Sequence, residues 1–249
     1  MIRRMVRSLA MASVFLMLVG CSAQPLSRMD QYFGSPGSGG EGTTLASVTG
    51  PVTAGLFVVY DAGAAQTAPV LSEKGMSFLR DQVRARIESG TAIRISRVLS
   101  AQGGMPSNGR EGLAQLARQE GLSHLLVALF SSAESEVPAY LPLTGDPEQG
   151  GTRPNIPGYE AVNYALAELA LLDATTGQIV ARSDGRAWAR LNRLNVPIQS
   201  NAYPVIHRSL RVAPIYPPEA QAKDILRSIA GDEALEQAVG RLRDAIGHS

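Results

Sequence analysis

Few residues in this 249-residue chain have the type and spacing that chemistry needs. It holds one cysteine, Cys21, so no internal disulfide or cysteine-rich zinc site can form; its three histidines, His124, His207 and His248, are too scattered for a ligand set. No Gly-x-Ser-x-Gly elbow, His-Glu-x-x-His pair or Walker sequence occurs, so no cofactor, metal or catalytic residue is expected. Ser123 and His124 are adjacent, but neighbours on a strand point to opposite faces, which predicts that they do not pair as nucleophile and base. Asp61 ends the first apolar run, where open α/β sheets place a functional acid; the alternative is a turn residue capping the next segment. Arg186, Trp188 and Arg190 alternate with alanines, and form either a partner-binding hot spot or a half-buried Trp between snorkelling arginines. Tyr140, Leu141 and Leu143 are a candidate partner contact if their stretch is exposed, and core filling if it folds back.

Charge narrows the partners. The 23 basic and 22 acidic side chains leave a formal +1, far from the concentrated positive field that a phosphate backbone demands, so nucleic acid is not expected. Arg3, Arg4 and Arg7 precede the apolar run 9–18, which is about half the roughly 20 residues a spanning helix needs, and residues 1–20 are expected to be a cleaved export signal. Leu18-Val19-Gly20-Cys21 resembles the lipobox of bacterial lipoproteins. That resemblance implies that the Cys21 thiol takes a diacylglycerol, that Cys21 becomes the acylated first residue, and that Ser22 after it directs the protein to the outer membrane. Three acyl chains, at ~0.8 kcal/mol per buried CH₂, would hold the chain almost permanently. Without residues 1–20 the chain keeps 20 basic against 22 acidic side chains, a net −2, so no basic patch assists the anchor.

Residues 21–53 lack a sustained apolar period, and Gly34-Ser-Pro-Gly37-Ser-Gly39-Gly40-Glu-Gly42 is linker chemistry; the stretch is expected to be a flexible tether whose one amphipathic cluster, 29–33, docks on the domain or faces headgroups. Residues 54–249 are expected to form a single α/β domain. Leu56-Phe57-Val58-Val59-Tyr60 predicts a buried strand, Met76, Leu79, Val83 and Ile87 an amphipathic helix with Ser72 as N-cap, and Ile93-Arg94-Ile95-Ser96 a second strand. Asn108 or Ser107 starts a short helix, and Leu125 to Phe130, apolar on both faces, belongs in mid-sheet. Tyr164 to Leu172 and Ile179 to Arg182 flank a Gly-containing turn, a hairpin. Residues 131–159 and 192–218 are expected to be Pro-rich loops, with Val205 and Ile206 exposed, and Gly231-Asp232 to break the last helix. The fold class is α/β: βαβαβ, then a hairpin and a C-terminal helix, a mixed sheet covered by helices.

Lipobox, tether, βαβαβ, loop, hairpin and final helix occur in that order. With them come the polar-aromatic Ser27 to Phe33 segment, Leu71-Ser-Glu-Lys74, Leu113 to Leu126 and Leu172 to Val180, and together these resemble the rhombotarget-type envelope lipoproteins of bacteria. The chain is more distantly similar to the curli secretion lipoprotein and to the lipoprotein activators of penicillin-binding proteins, which share an anticodon-binding-like α/β domain. The resemblance implies binding and assembly, not catalysis: a lipid-anchored module on the periplasmic face of the outer membrane, docking through its Pro-rich loops onto an envelope protein. The alternative is a homo-oligomeric, ring-forming accessory of a secretion or polysaccharide-export machine. Cys21→Ser is expected to leave a soluble or uncleaved precursor on cell fractionation; a fully processed variant that still sediments with the outer membrane refutes the anchor.

Overall fold

Six consecutive apolar residues, Leu125 to Phe130, oblige both faces of their strand to be covered, and the architecture follows from that obligation. The computed structural model describes residues 25, 27–33, 50–61, 71–99, 105–142, 155–196 and 200–247. Along the chain these give a short helix α1 (Met29–Phe33), β1 (Val52–Tyr60), α2 (Glu73–Gly90), β2 (Ile93–Leu99), α3 (Gly109–Gln119), β3 (His124–Pro142), β4 (Asn155–Asp173), β5 (Ile179–Leu194), β6 (Val205–Arg208) and α4 (Ala222–Gly247). The six strands form one mixed sheet in the order β2-β1-β3-β4-β5-β6. The first three are parallel and the rest antiparallel.

Alternation divides the core into two layers. Leu56, Val58, Leu126, Ala128, Phe130, Leu169 and Leu171 face α2 and α4, meeting Leu79, Val83, Ile87, Leu226, Leu235 and Leu242. Phe57, Val59, Leu125, Val127, Leu129 and Leu172 face the other way, onto Leu113 and Ala117 of α3 and Met29 and Phe33 of α1. Ser72 caps α2 as its sequence suggests, accepting a hydrogen bond from the Gly75 N–H at 3.0 Å.

Three expectations are corrected. The described parts of the stretch 131–159, residues 131–142 and 155–159, are strand and not loop: β3 and β4 pair residue for residue from His124↔Asp173 out to Pro142↔Asn155. β1 leaves β3 after Tyr60↔Phe130, so 131–142 has no strand on that side among the described residues, and an edge tolerates Pro138 and Pro142, which lack an N–H, where a central strand would not. Pro157 lies just past the last β4–β5 pair, Gly158↔Leu194, and its carbonyl accepts the Asn195 N–H at 3.0 Å. The stretch 192–218 is likewise partly ordered by pairing. β5 runs to Leu194 and β6 pairs with it, burying the expected surface residues Val205 and Ile206. Finally, α4 runs unbroken through Gly231-Asp232. Asp232 does not cap a helix; its carboxylate takes two hydrogen bonds from Arg86 of α2, at 2.7 and 2.9 Å, and Gly231 lies over Leu79.

α4 lies against β4 and β5, and its approach depends on Gly185. A Cβ there would overlap the Ala234 carbonyl oxygen and stand 2.6 Å from the Ala238 nitrogen. The Ser183 hydroxyl, two residues earlier, donates to the Ala238 carbonyl at 2.8 Å. Gly185→Ala is therefore expected to lose about 1–3 kcal/mol in urea unfolding by pushing the helix off the sheet. Gly240→Ala, on the same helix with nothing within 4 Å, is expected to be neutral or to gain up to about 1 kcal/mol.

Candidate functional site

β1 sits between β2 and β3, and the two crossovers pass on opposite faces of the sheet, α2 on one and α3 on the other. A crevice is therefore expected beyond the carboxyl end of β1, the place where open α/β sheets hold ligands. Asp61 stands there, buried. Residues 27–33 of the chain itself reach this position. Arg28 Nε donates to Asp61 Oδ2 at 2.6 Å and the Tyr32 hydroxyl donates to the same oxygen at 3.2 Å. Met29 and Phe33 enter the core below, and Gly109, at φ +51, lets the backbone at Tyr32 touch the start of α3, where a Cβ would strike the Tyr32 carbonyl oxygen.

The segment is tied at its other end by Glu168. This carboxylate, only 2% exposed in mid-β4, accepts the Ser27 hydroxyl at 2.5 Å and the backbone N–H groups of Arg28 and Met29 at 2.9 and 3.1 Å. The two N–H groups open α1, where helical hydrogen bonding leaves donors free and a negative charge is favoured. Arg182 of β5 adds a bond to Glu168 at 3.4 Å and another to Asp30 at 2.7 Å. Farther along β5, Arg186 donates to the Pro25 carbonyl at 3.1 Å.

The electrostatics of the Asp61 contact fix the charge of its partners. The hydrogen bond to Asp61 raises the Arg28 guanidinium above its usual value, and burial followed by the Asp61 charge pushes the Tyr32 hydroxyl up. Arg28 thus stays cationic and Tyr32 neutral at pH 7, with Asp61 committed to both. Among the described residues no group of three or more His, Cys, Asp or Glu is placed to hold a metal ion. Ser123 corrects the sequence reading. It precedes β3 instead of lying within it, strand alternation does not separate it from His124, and its hydroxyl lies 3.1 Å from His124 Nδ1. The pair sits on the surface, and no ion pair joins His124 to Asp173 opposite it among the described residues.

No family model and no curated protein matches the chain. Among solved structures, the PelC dodecamer from Paraburkholderia phytofirmans is similar at 10% identity and a TM-score of 0.32, over 78% of this chain and 88% of that one. A neuraminyllactose-binding hemagglutinin homolog from Helicobacter pylori is similar at 12% identity and a TM-score of 0.33, over 77% and 83%. Likenesses this distant leave the functional reading to the chain's own residues.

The residues expected to meet a partner do not form one patch. Tyr140 is 77% exposed on β3, as an interaction tip requires. Leu141 is not part of that tip: it is buried over Gly158, where a Cβ would crowd it. Leu143 and the lipidation candidate Cys21 lie outside the described residues. Arg186, Trp188 and Arg190 do share one sheet face, with Ala187 and Ala189 buried behind them. Trp188 is half-buried, the Arg190 guanidinium stands 5.5 Å from its ring centroid, and Tyr164 is its cross-strand neighbour. The N-terminal strap went unread as a site because its ties, Asp61 and Glu168, lie 33 and 140 residues from Arg28. One signal was present: Glu168 is the only charge in the apolar run Tyr164 to Leu172.

Glu168→Ala is expected to strand the Arg28 and Met29 N–H groups and leave Arg182 with Asp30 and Ser27, costing about 1.5–3 kcal/mol and removing amide-exchange protection from residues 27–33. Unchanged protection there would show that α1 docks by Met29 and Phe33 alone.

Proposed function

We propose that the chain is a non-enzymatic lipoprotein of the outer membrane, facing the periplasm, whose α/β domain binds an envelope protein. The observation that supports it most is the N-terminal segment in the crevice of the sheet. A fold that keeps this position for a substrate leaves Asp61 free for it, whereas here Arg28 and Tyr32 bind that carboxylate and the strap is tied to the sheet a few residues from Cys21. The anchor lead is thereby a structural element, and the surface left for a partner lies elsewhere.

That surface is the outer part of the β3–β4 arm. Residues 131–142 of β3 carry Val137, 52% exposed, on one face and Tyr140, 77% exposed, on the other, large side chains whose burial by a partner is worth about 1.5–3 kcal/mol each. The arm is braced by α4 on the face that carries Tyr140. Arg227 of α4 bonds Glu134 through two nitrogens at 2.7 and 2.9 Å, and Glu136 is held by Lys223 and by Arg193 at 3.1 Å, pairings that keep its carboxyl below the usual range. The carboxylates and Pro138 make the edge a poor template for uncontrolled strand addition, so recognition runs through side chains presented by a stiff support.

A photo-crosslinking residue in place of Tyr140, in intact cells, is expected to capture one envelope protein, while the same residue at the exposed Phe78 of α2 captures none. Crosslinks only to a second copy, with a large closed oligomer in light scattering, would favour the ring-forming reading; no crosslink at Tyr140 would remove the proposed contact.

A further inference from the structure

Resting on that reading, we infer that the sheet face bearing Arg186, Trp188 and Arg190 lies in the headgroup layer of the membrane that holds Cys21. The path of the strap carries the inference. Ser27 meets Arg182 and Pro25 meets Arg186, so the chain, followed back toward its anchor, advances along β5 in the direction of Trp188 and Arg190. Four residues separate Pro25 from Cys21, and at 3.3–3.6 Å per residue they span at most about 14 Å. With the Pro25 carbonyl and its 3.1 Å hydrogen bond added, an acylated Cys21 lies within about 20 Å of the Arg186 guanidinium and brings the bilayer surface to that distance. Trp188 is two strand residues beyond, roughly 7 Å.

The chemistry of the face suits that occupant. Trp and Tyr rings with one apolar side and one polar handle settle at the membrane–water interface, and Trp188 and Tyr164 stand side by side as a cross-strand pair, both half-buried. Arg186 and Arg190 flank them with about half of each side chain in solvent, long enough to pass the rings and reach phosphate oxygens. Asp184 and Glu160 lie 3.8 and 3.7 Å from these arginines and bring the patch close to neutral. Contact therefore depends on the rings and on the short lead, not on attraction to anionic lipid. With the face on the membrane, the strap serves as an orienting device.

The sole tryptophan, Trp188, reports the contact directly. The acylated full chain is reconstituted in vesicles of phosphatidylethanolamine and phosphatidylglycerol, with and without a lipid spin-labelled at the headgroup. The expected result is flotation with the vesicles, about twofold quenching of Trp188 by the label, little change in 0.5 M salt, and shielding from aqueous acrylamide that appears only with vesicles. A Trp188→Phe, Phe78→Trp chain, whose reporter stands on α2, is expected to float equally and escape the label. A floating chain whose Trp188 is no more quenched than that control overturns this inference and leaves the lipoprotein reading intact. Shielding that is already present without lipid and lost on dilution assigns the face to a second copy and also overturns it. Failure to float overturns both.

Discussion

A carboxylate buried in the middle of an apolar strand cannot stand alone, and the organisation of this protein follows from how Glu168 is satisfied. Leaving a charge without partners in a low-dielectric core costs several kcal/mol. Its donors do not come from the sheet around it, apart from one arginine, but from residues 27–29, whose hydroxyl and two backbone N–H groups converge on its oxygens. The N-terminal segment is thus required by the core. Once it is seated, Met29 and Phe33 complete the layer under α3, and Arg28 and Tyr32 reach Asp61 at the end of β1.

The same logic recurs on the other face. Glu233 of α4, almost fully buried, accepts the Ser209 hydroxyl and the Leu210 N–H at 3.0 Å and so ties the segment after β6 to the helix. Arg227 locks Glu134 near the base of the β3–β4 arm, and Arg86 joins α2 to α4 through Asp232. Apolar burial supplies most of the stability, while these polar ties decide which segment lies over which strand. α4 can serve as the common brace because Gly185 allows it close to β5 and because it does not break at Gly231.

The strap ties Asp61, at the end of β1, and Glu168, in mid-β4, to one segment and gives residues 27–33 a fixed relation to the sheet. The two surfaces left over differ in kind. The β3–β4 arm presents Val137 and Tyr140 on the two faces of an exposed strand, the contact proposed for a protein partner. The Trp188 face is amphipathic, near neutral, and adjacent to the lead from Cys21, a geometry for a lipid surface. In the reading proposed above, anchor, domain and partner contact follow one another outward from the membrane.

Local patterns in the sequence determined a good deal. The apolar run of β1, the 3–4 spacing of α2, the Ser72 cap and the turn between β4 and β5 depend on neighbours within a few residues, and the buried Val58, Leu79, Val83, Leu126, Val127 and Leu166 could be named from periodicity alone. The prolines of 131–159 and 192–218 suggested loops because a proline's missing N–H is a local fact, whereas the edge that makes it harmless is created by β1 ending at Tyr60. Gly231-Asp232 suggested a break because Gly weakens an isolated helix, whereas the continuation is decided by Leu79 and Arg86 on another helix. Asp61 and Glu168 were visible as charges in apolar surroundings, but their role as the two ties of the N-terminal strap exists only when residues up to 140 positions apart meet. What side chains within a turn or a strand could settle was written in the chain; what depended on which surfaces came together was left to the tertiary structure, because hydrogen-bond satisfaction and close packing are properties of the assembled core and not of any segment within it.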